Sequence, residues 1–302
     1  MEGKGMSTKT AQGHLAAFIT IIIWGTTFIS TKILLKSFEP IEILFIRFVL
    51  GFLILILAFP KFLQVKDKKQ EITFALAGLC GVCLYYLLEN IALTYTLAAN
   101  VGVIISVAPF FTAIISHLIT KDEALKWNFF IGFLVAMVGI ICISFNGMWN
   151  VEFNPTGDIL ALVAAFVWSL YSVLTKKISQ YGYNLIQTTR RVFAYGVIFM
   201  IPALIIFGFD VKMQSFMEIE NLFNLLYLGI GASAVCFVTW NVAVKILGAV
   251  KTSIYIYMVP VITVVTSMIV LHEELTVVSV VGTVLILVGL FLSEYRKKEK
   301  GL

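Results

Sequence analysis

The sequence predicts an all-α membrane protein in which ten transmembrane helices form two inverted five-helix repeats around a central cavity. Three observations predict it. Hydrophobic residues make up 60% of the 302-residue chain and charged residues only 13%, where a soluble domain carries about 25% charged residues. Apolar runs of about 20 residues, the length that crosses the hydrocarbon core of a bilayer, recur along almost the whole chain. The third observation is an internal repeat whose markers recur in one order. Trp24 precedes Arg47 by 23 positions, and Trp168 precedes Arg191 by 23. Asn90 precedes Pro109 by 19, and Asn241 precedes Pro260 by 19. Glu123, Ala124 and Leu125 are followed by Gly132 and Gly139, and Glu273, Glu274 and Leu275 by Gly282 and Gly289, at the same intervals of 9 and 7. An odd number of crossings per half inserts the second copy upside down.

The elements follow in order. A polar tail over 1–13 leads into a first helix at 14–35, too long for a signal-peptide core and without a small-residue cleavage site, so it is expected to stay as a helix. Helices at 42–60, 72–95, 98–119 and 127–147 complete the first repeat, 14–147. A linker at 148–156 precedes helices at 157–178, 184–207, 222–245, 249–270 and 275–294, the second repeat, and a basic tail closes the chain at 295–302. The loops between them are short, so no soluble catalytic or binding domain is inserted and function must sit within the membrane.

Charge sets the expected orientation. With both termini in the cytoplasm, Lys61, Lys66, Lys68, Lys69, Lys121, Lys126, Lys176, Lys177, Lys245, Lys251 and the tail from Arg296 to Lys300 fall inside, and only Lys36 and Lys212 fall in outer loops. This is the positive-inside pattern of a multi-pass cell-membrane protein. It accounts for the net charge of +5 without a nucleic-acid partner; the partners expected are the lipid bilayer and a small-molecule substrate, for a chain that is a monomer or a homodimer. Cys80 and Cys83 form a C-x-x-C in an apolar helix without a partner pair or nearby His, and read as small packing residues. His272, Glu273 and Glu274 do not make H-E-x-x-H, and no metal, cofactor or enzymatic constellation is expected.

Trp24-Gly25 in the first helix, Arg47 in the second, the stretch Asn90 to Asn100 with its Ala-Leu-Thr-Tyr-Thr core, Pro109, and Glu123-x-Leu before Gly132 and Gly139 form an ordered set, repeated by Trp168, Arg191, Asn241, Pro260, Glu273-x-Leu, Gly282 and Gly289. The set resembles the EamA-type transporters of the drug/metabolite transporter superfamily, over about residues 15 to 293. The resemblance implies ten helices in two inverted bundles around a central cavity and transport of small metabolites, with the cargo open. Two positions depart from the repeat: Ser169 stands where the first half has Gly25, and Glu89 stands where the second half has Trp240.

Ionisable side chains near the bilayer centre cost about 2.5 to 3.5 kcal/mol on insertion scales, so each needs a reason. Arg47 and Glu89 lie at similar depths below the outer ends of the second and third helices, which predicts an ion pair. It either neutralises two buried charges or makes Glu89 a group that exchanges a proton as cargo leaves. Arg190 and Arg191 lie inside the inner end of the seventh helix with no acid expected beside them. One is expected to reach the interface and the other to bond carbonyls or Asn241, or Arg191 serves as an inner-gate cation for a carboxylate-bearing substrate.

Candidate substrate-binding residues are Tyr85, Tyr86, Glu89 and Asn90 on the third helix, Trp168 on the sixth, Trp240 and Asn241 on the eighth and Tyr255 on the ninth, which stack on or hydrogen-bond an amphiphilic solute while presenting little charge to lipid. Tyr255 and Tyr257 are two apart and face different directions, so at most one points inward. Pro109 and Pro260, inside the fourth and ninth helices, supply either a hinge in each half or a static bend. The four glycines of the fifth and tenth helices allow close packing, within the bundle or in a dimer.

The function expected from all this is secondary transport, in the direction of export, of amino acids, other small metabolites or amphiphilic drugs by alternating access. Its rivals are a carrier or flippase for nucleotide- or lipid-linked sugars, whose phosphates would need several converging cations, and a non-transporting membrane scaffold or sensor.

Overall fold

The structure, a computed structural model, describes residues 2–95, 98–119, 127–144, 154–210, 213–271 and 277–294, which contain helices and no strand. The long segments are α1 (Glu2–Leu34), α2 (Pro40–Ala58) and α3 (Lys68–Tyr95). Next come α4, broken into Ala98–Ile105 and Ala108–Ile119, and α5 (Trp127–Ser144). The second half has α6 (Pro155–Ser179), α7 (Leu185–Phe207) and α8 (Ile219–Leu247). It closes with α9, in pieces Ala249–Ile254, Tyr255–Tyr257 and Met258–Leu271, and α10 (Val277–Glu294). Among the described residues six helices, α1, α2, α3, α6, α7 and α8, are long and apolar enough to cross a membrane, and four shorter apolar helices accompany them.

Local chemistry fixes several starts. Pro40 and Pro155 occupy first-turn positions, where a missing N–H costs nothing. The Glu42 carboxylate accepts from the Glu39 N–H at 2.8 Å. Asn154 caps α6 by accepting from Thr156 and Gly157, and Asn184 caps α7 by accepting from Ile186 and Gln187. Gly248, at φ 94°, turns the chain from α8 into α9 in a conformation that strains any residue with a side chain.

The structure departs from the sequence reading in three places. Helix α1 begins at Glu2 rather than near 14, because no proline interrupts the polar stretch and the helix of the apolar run simply continues back through it. A short helix, Met213–Met217, precedes α8. Pro109 and Pro260 are not mid-helix: each lies in the first turn after a break, at Ser106–Val107 in α4 and at the 3-10 turn Tyr255–Tyr257 in α9. Glu123, Leu125, Glu273, Leu275, His272, residues 148–153 of the linker and the tail 295–302 lie outside the described residues.

Equivalent helices of the two halves pack against each other in opposite directions. At one end of the α2/α7 pair, Arg190 near the start of α7 donates to the carbonyls of Phe59 and Lys61 after the end of α2, at 2.7 and 2.6 Å. At the other, Glu42 in the first turn of α2 accepts from the Asp210 N–H just past the end of α7, at 3.0 Å. Helices α5 and α10 repeat the arrangement. A Cβ on Gly139 would lie 2.6 Å from the Gly282 carbonyl oxygen, and one on Gly289 2.6 Å from that of Gly132, so these glycines let two backbones touch. The end of the bundle that gathers Lys61, Lys66, Lys68, Lys69, Lys176 and Lys177 is termed the basic end, and the one holding Pro40 and Tyr95 the far end.

Both third helices contain a π-helical stretch, Leu79–Leu84 in α3 and Tyr227–Val235 in α8. Leu84 and Val235 are 151 positions apart, the offset that also separates Asn90 from Asn241 and Pro109 from Pro260. Such stretches are rare and rotate the residues beyond them about the helix axis. Here they turn Tyr85, Tyr86 and Glu89 on α3, and Phe237 and Trp240 on α8, toward the interior.

Candidate functional site

A cleft opens between the halves on the far-end side of an aromatic layer. It encloses about 510 Å³ including its open mouth, with free room for water-sized molecules of about 40 Å³. Its walls are Trp24, Thr27 and Phe28 of α1, Tyr85, Tyr86 and Glu89 of α3, Trp168 of α6, and residues flanking the two breaks: Gly102, Ile105 and Ser106 of α4, Ile256 and Val259 of α9. The floor is built of rings. Trp24 lies 5.2 Å from Trp168 and 5.1 Å from Trp240 between centroids, and Trp168 is 5.8 Å from Trp240 and 4.7 Å from Tyr85. The Trp24 indole N–H is satisfied, donating to the Ala232 carbonyl at 2.9 Å, whereas the indole nitrogens of Trp168 and Trp240 have no hydrogen-bond partner.

Glu89 is 7% exposed, and its Oε2 has no partner. Tyr85, one turn earlier on the same face, is its polar neighbour. The expected direct ion pair with Arg47 is not formed. The Arg47 Nε instead donates to the Ser233 hydroxyl at 3.0 Å, and the guanidinium sits 4.5 Å from the Tyr86 ring centroid and 5.3 Å from that of Phe48. The physical reason is that two ring faces and a hydroxyl at the α8 π stretch reach the guanidinium first, and an aromatic face supplies a cation with negative potential. Arg47 consequently lies behind Tyr86 and is not part of the cleft wall.

Of the other sequence candidates, Tyr85, Tyr86 and Trp168 line the cleft and Trp240, fully buried, forms its floor. Asn90 faces away: its Nδ2 donates to the Pro40 carbonyl at 3.1 Å and ties α3 to the start of α2. Asn241 lies on the basic-end side of the ring layer, accepting from Tyr171 at 3.2 Å and donating to Thr189 at 2.8 Å. Tyr255 leaves the cleft to meet His14 Nδ1 at 2.6 Å, and Tyr257 packs in a separate core with Phe129 and Ile286; Ile256, between them, is the residue that lines the wall.

At the basic end several bonds tie the halves together beside a pocket of about 480 Å³ lined by Phe62, Gln187, Arg190 and Arg191. Arg191, expected without an acid, pairs with Glu71 near the start of α3: its Nη2 meets Oε1, its Nε donates to Oε2 at 3.1 Å, and the Tyr195 hydroxyl donates to the same oxygen at 2.8 Å. Tyr183 donates to Gln70 at 2.8 Å and accepts from the Lys66 N–H at 2.9 Å, Tyr181 donates to Thr73 at 3.0 Å, and Gln187 donates to the Lys61 carbonyl at 2.9 Å. Arg190, as expected for one of the two arginines, is spent on carbonyls. The sequence reading missed Glu71 because it began the third helix at 72; α3 begins at Lys68, and the depth comparison that matched Arg47 with Glu89 would then have matched Glu71 with Arg191.

The model of the EamA-like transporter family matches residues 11–145 and 155–295. An uncharacterized transporter of Clostridium kluyveri is 30% identical over 305 residues, covering 95% of this chain and 94% of that one. Another, of Archaeoglobus fulgidus, is 29% identical over 299 residues, covering 97% and 100%. A protein of Salmonella typhimurium named a probable amino-acid metabolite efflux pump is 23% identical over 285 residues, covering 92% and 93%. One solved crystal structure superposes with a TM-score of 0.75 at 19% identity, over 94% of this chain and 96% of that one, a likeness of fold. With a two-part match that takes in both halves, all-helical architecture and relatives named transporters, the chain belongs to the EamA-like transporter family.

Proposed function

We propose that this protein is a secondary transporter of the cell membrane that exports small amphiphilic metabolites of about amino-acid size by alternating access. In this reading ten helices cross the bilayer as two inverted repeats, the basic end faces the cytoplasm with both termini, and the cleft opens outward. The observation that carries it is the difference between the two ends of one cross-half interface. The far end holds a cleft with a carboxylate whose Oε2 lacks a partner, and the basic end is tied across the halves by the Arg191–Glu71 pair and its neighbouring bonds. A carrier must be able to exchange those conditions, and the breaks before Pro109 and Pro260 give each half a place to bend next to the cleft. The name of the Salmonella relative supports cargo of amino-acid size.

The sugar-carrier reading asks for several free cations around phosphates. The engagement of Arg190 with carbonyls, Arg191 with Glu71 and Arg47 with Ser233 and Tyr86 weighs against it. The test is flux of a labelled amino-acid and amine panel into proteoliposomes, with and without a pH gradient. Protein-dependent, saturable flux of at least one solute is expected; binding with no flux would favour a sensor.

A further inference from the structure

The wall of the cleft carries one formal charge among the described residues, that of Glu89, set in an otherwise aromatic and aliphatic lining. Its Oε2 is buried and unpartnered. A carboxylate oxygen removed from water without a donor is costly, and the cost is offset by a ligand that brings one. The surrounding rings select the kind of donor. The faces of Trp, Tyr and Phe attract a positive charge and pack an apolar body, a combination that recognises ammonium groups. A ligand carboxylate finds much less. The Arg47 guanidinium lies on the Tyr86 ring, outside the wall, with its Nε bonded to Ser233 and its Nη2 buried without a partner. Among the fully buried side-chain atoms of the described wall, the one donor without a partner is the Trp168 indole N–H, a neutral group. That donor suits a hydroxyl or a carbonyl and leaves an anion uncompensated.

We propose that the cleft is a binding site for a small organic cation, a protonated amine on an aromatic or branched apolar body, with Glu89 as its counter-ion and Trp24, Phe28, Tyr85, Tyr86 and Trp168 as its walls. This inference rests on the transporter reading for its role in the cell, and its chemistry stands on the cleft alone. It separates two solutes of the same size and ring: the amine is the recognised group, and an adjoining carboxylate opposes binding.

Equilibrium binding of labelled 2-phenylethylamine to the purified full-length chain, in competition with L-phenylalanine, tests it. The amine is expected to bind at least about tenfold tighter than the amino acid, and Glu89→Gln to weaken the amine by about ten- to hundredfold, the worth of a hydrogen bond to a charged group. Glu89→Asp, which keeps the charge, is expected to retain part of the affinity. Phenylalanine binding as tightly as phenylethylamine, or amine binding unchanged in Glu89→Gln, overturns the proposal; the unmodified protein supplies the first comparison whatever the variants do. Flux in proteoliposomes separates the two readings. Transport of amino acids without amine binding sinks the cation site and leaves the transporter, whereas Glu89-dependent amine binding with no flux of any solute does the reverse.

Discussion

Helices α3 and α8 share a backbone plan and carry different surfaces. Each has a π stretch ending at equivalent positions, Leu84 and Val235, followed by a helical segment that faces the interior and carries an asparagine bonded to a neighbouring element. In α3 the inward positions are Tyr85, Tyr86 and Glu89, and a cleft lies against them. Their counterparts in α8 are Cys236, Phe237 and Trp240, all without exposure, and the space is filled by rings. The comparison teaches that duplicated backbones can keep their geometry while one copy supplies the polar site and the other the floor on which it rests. The same division appears at Gly25 and Ser169. A Cβ at Gly25 would sit 2.6 Å from Ile262, while the Ser169 hydroxyl fills the equivalent place and donates to the Ala108 carbonyl at 2.9 Å.

The largest expected effect that would break this comparison is on the filled side. Trp240→Ala removes the most voluminous fully buried side chain among the described residues and is expected to cost about 3 to 5 kcal/mol of stability, read as a lower unfolding midpoint in detergent, along with loss of flux. A midpoint close to that of the parent would mean that the floor is not a packed unit. Next is the bond that crosses between the plans. Ser233→Ala leaves the buried Arg47 Nε without its acceptor and is expected to cost about 1.5 to 3 kcal/mol; Val82, the equivalent position in α3, faces no such guanidinium, so Val82→Ala should cost no more than an ordinary packing loss. The third sharpens the glycine and serine pair. Gly25→Ser is expected to destabilise by about 1 to 3 kcal/mol through overpacking, against about 0.5 to 1.5 kcal/mol for Ser169→Ala, which forfeits a hydrogen bond without adding glycine to the helix interior. Equal effects in thermal unfolding would show that the two sites have not diverged.

The smallest effect on stability belongs to the basic end. The side chains of Arg191 and Glu71 are 37% and 25% exposed, so solvent screening leaves the pair about 0 to 1 kcal/mol. Glu71→Gln is therefore expected to barely move the unfolding midpoint while raising thiol labelling of Thr189→Cys from that side, in a cysteine-free background, by up to about fivefold. Unchanged labelling would mean that the remaining cross-half bonds hold this end without it.

The repeat was legible because it is written in side chains whose spacing survives in the fold: tryptophan to arginine, asparagine to proline, and the paired glycines. Helix extents were legible from apolar length, to within a few residues for α2, α6 and α7. What could not be read was where a rotation or a break intervenes. The π stretches turn Tyr85 and Tyr86 together toward one cleft although adjacent helical residues ordinarily diverge, and the 3-10 turn sends Tyr255 and Tyr257 both away from it. Depth along a helix sets Arg47 level with Glu89, but it says nothing of the Tyr86 ring whose face takes the guanidinium. Hydrophobic composition also hides which polar residue meets which. Asn90 and Asn241 occupy equivalent positions, yet one ties down the start of α2 and the other sits among Tyr171 and Thr189.

The glycine contact between α5 and α10 has a consequence for how such a chain can vary. Gly132 meets Gly289 and Gly139 meets Gly282, so each glycine touches the duplicate of the other one, the reciprocal pattern of a two-fold interface folded into a single polypeptide. A five-helix unit that paired antiparallel with a second copy about a two-fold axis would make this contact between two separate molecules. Within the single chain, a Cβ at Gly132, Gly139 or Gly289 would meet the backbone of the opposite half, so a bulkier residue at any of these sites pushes both halves apart.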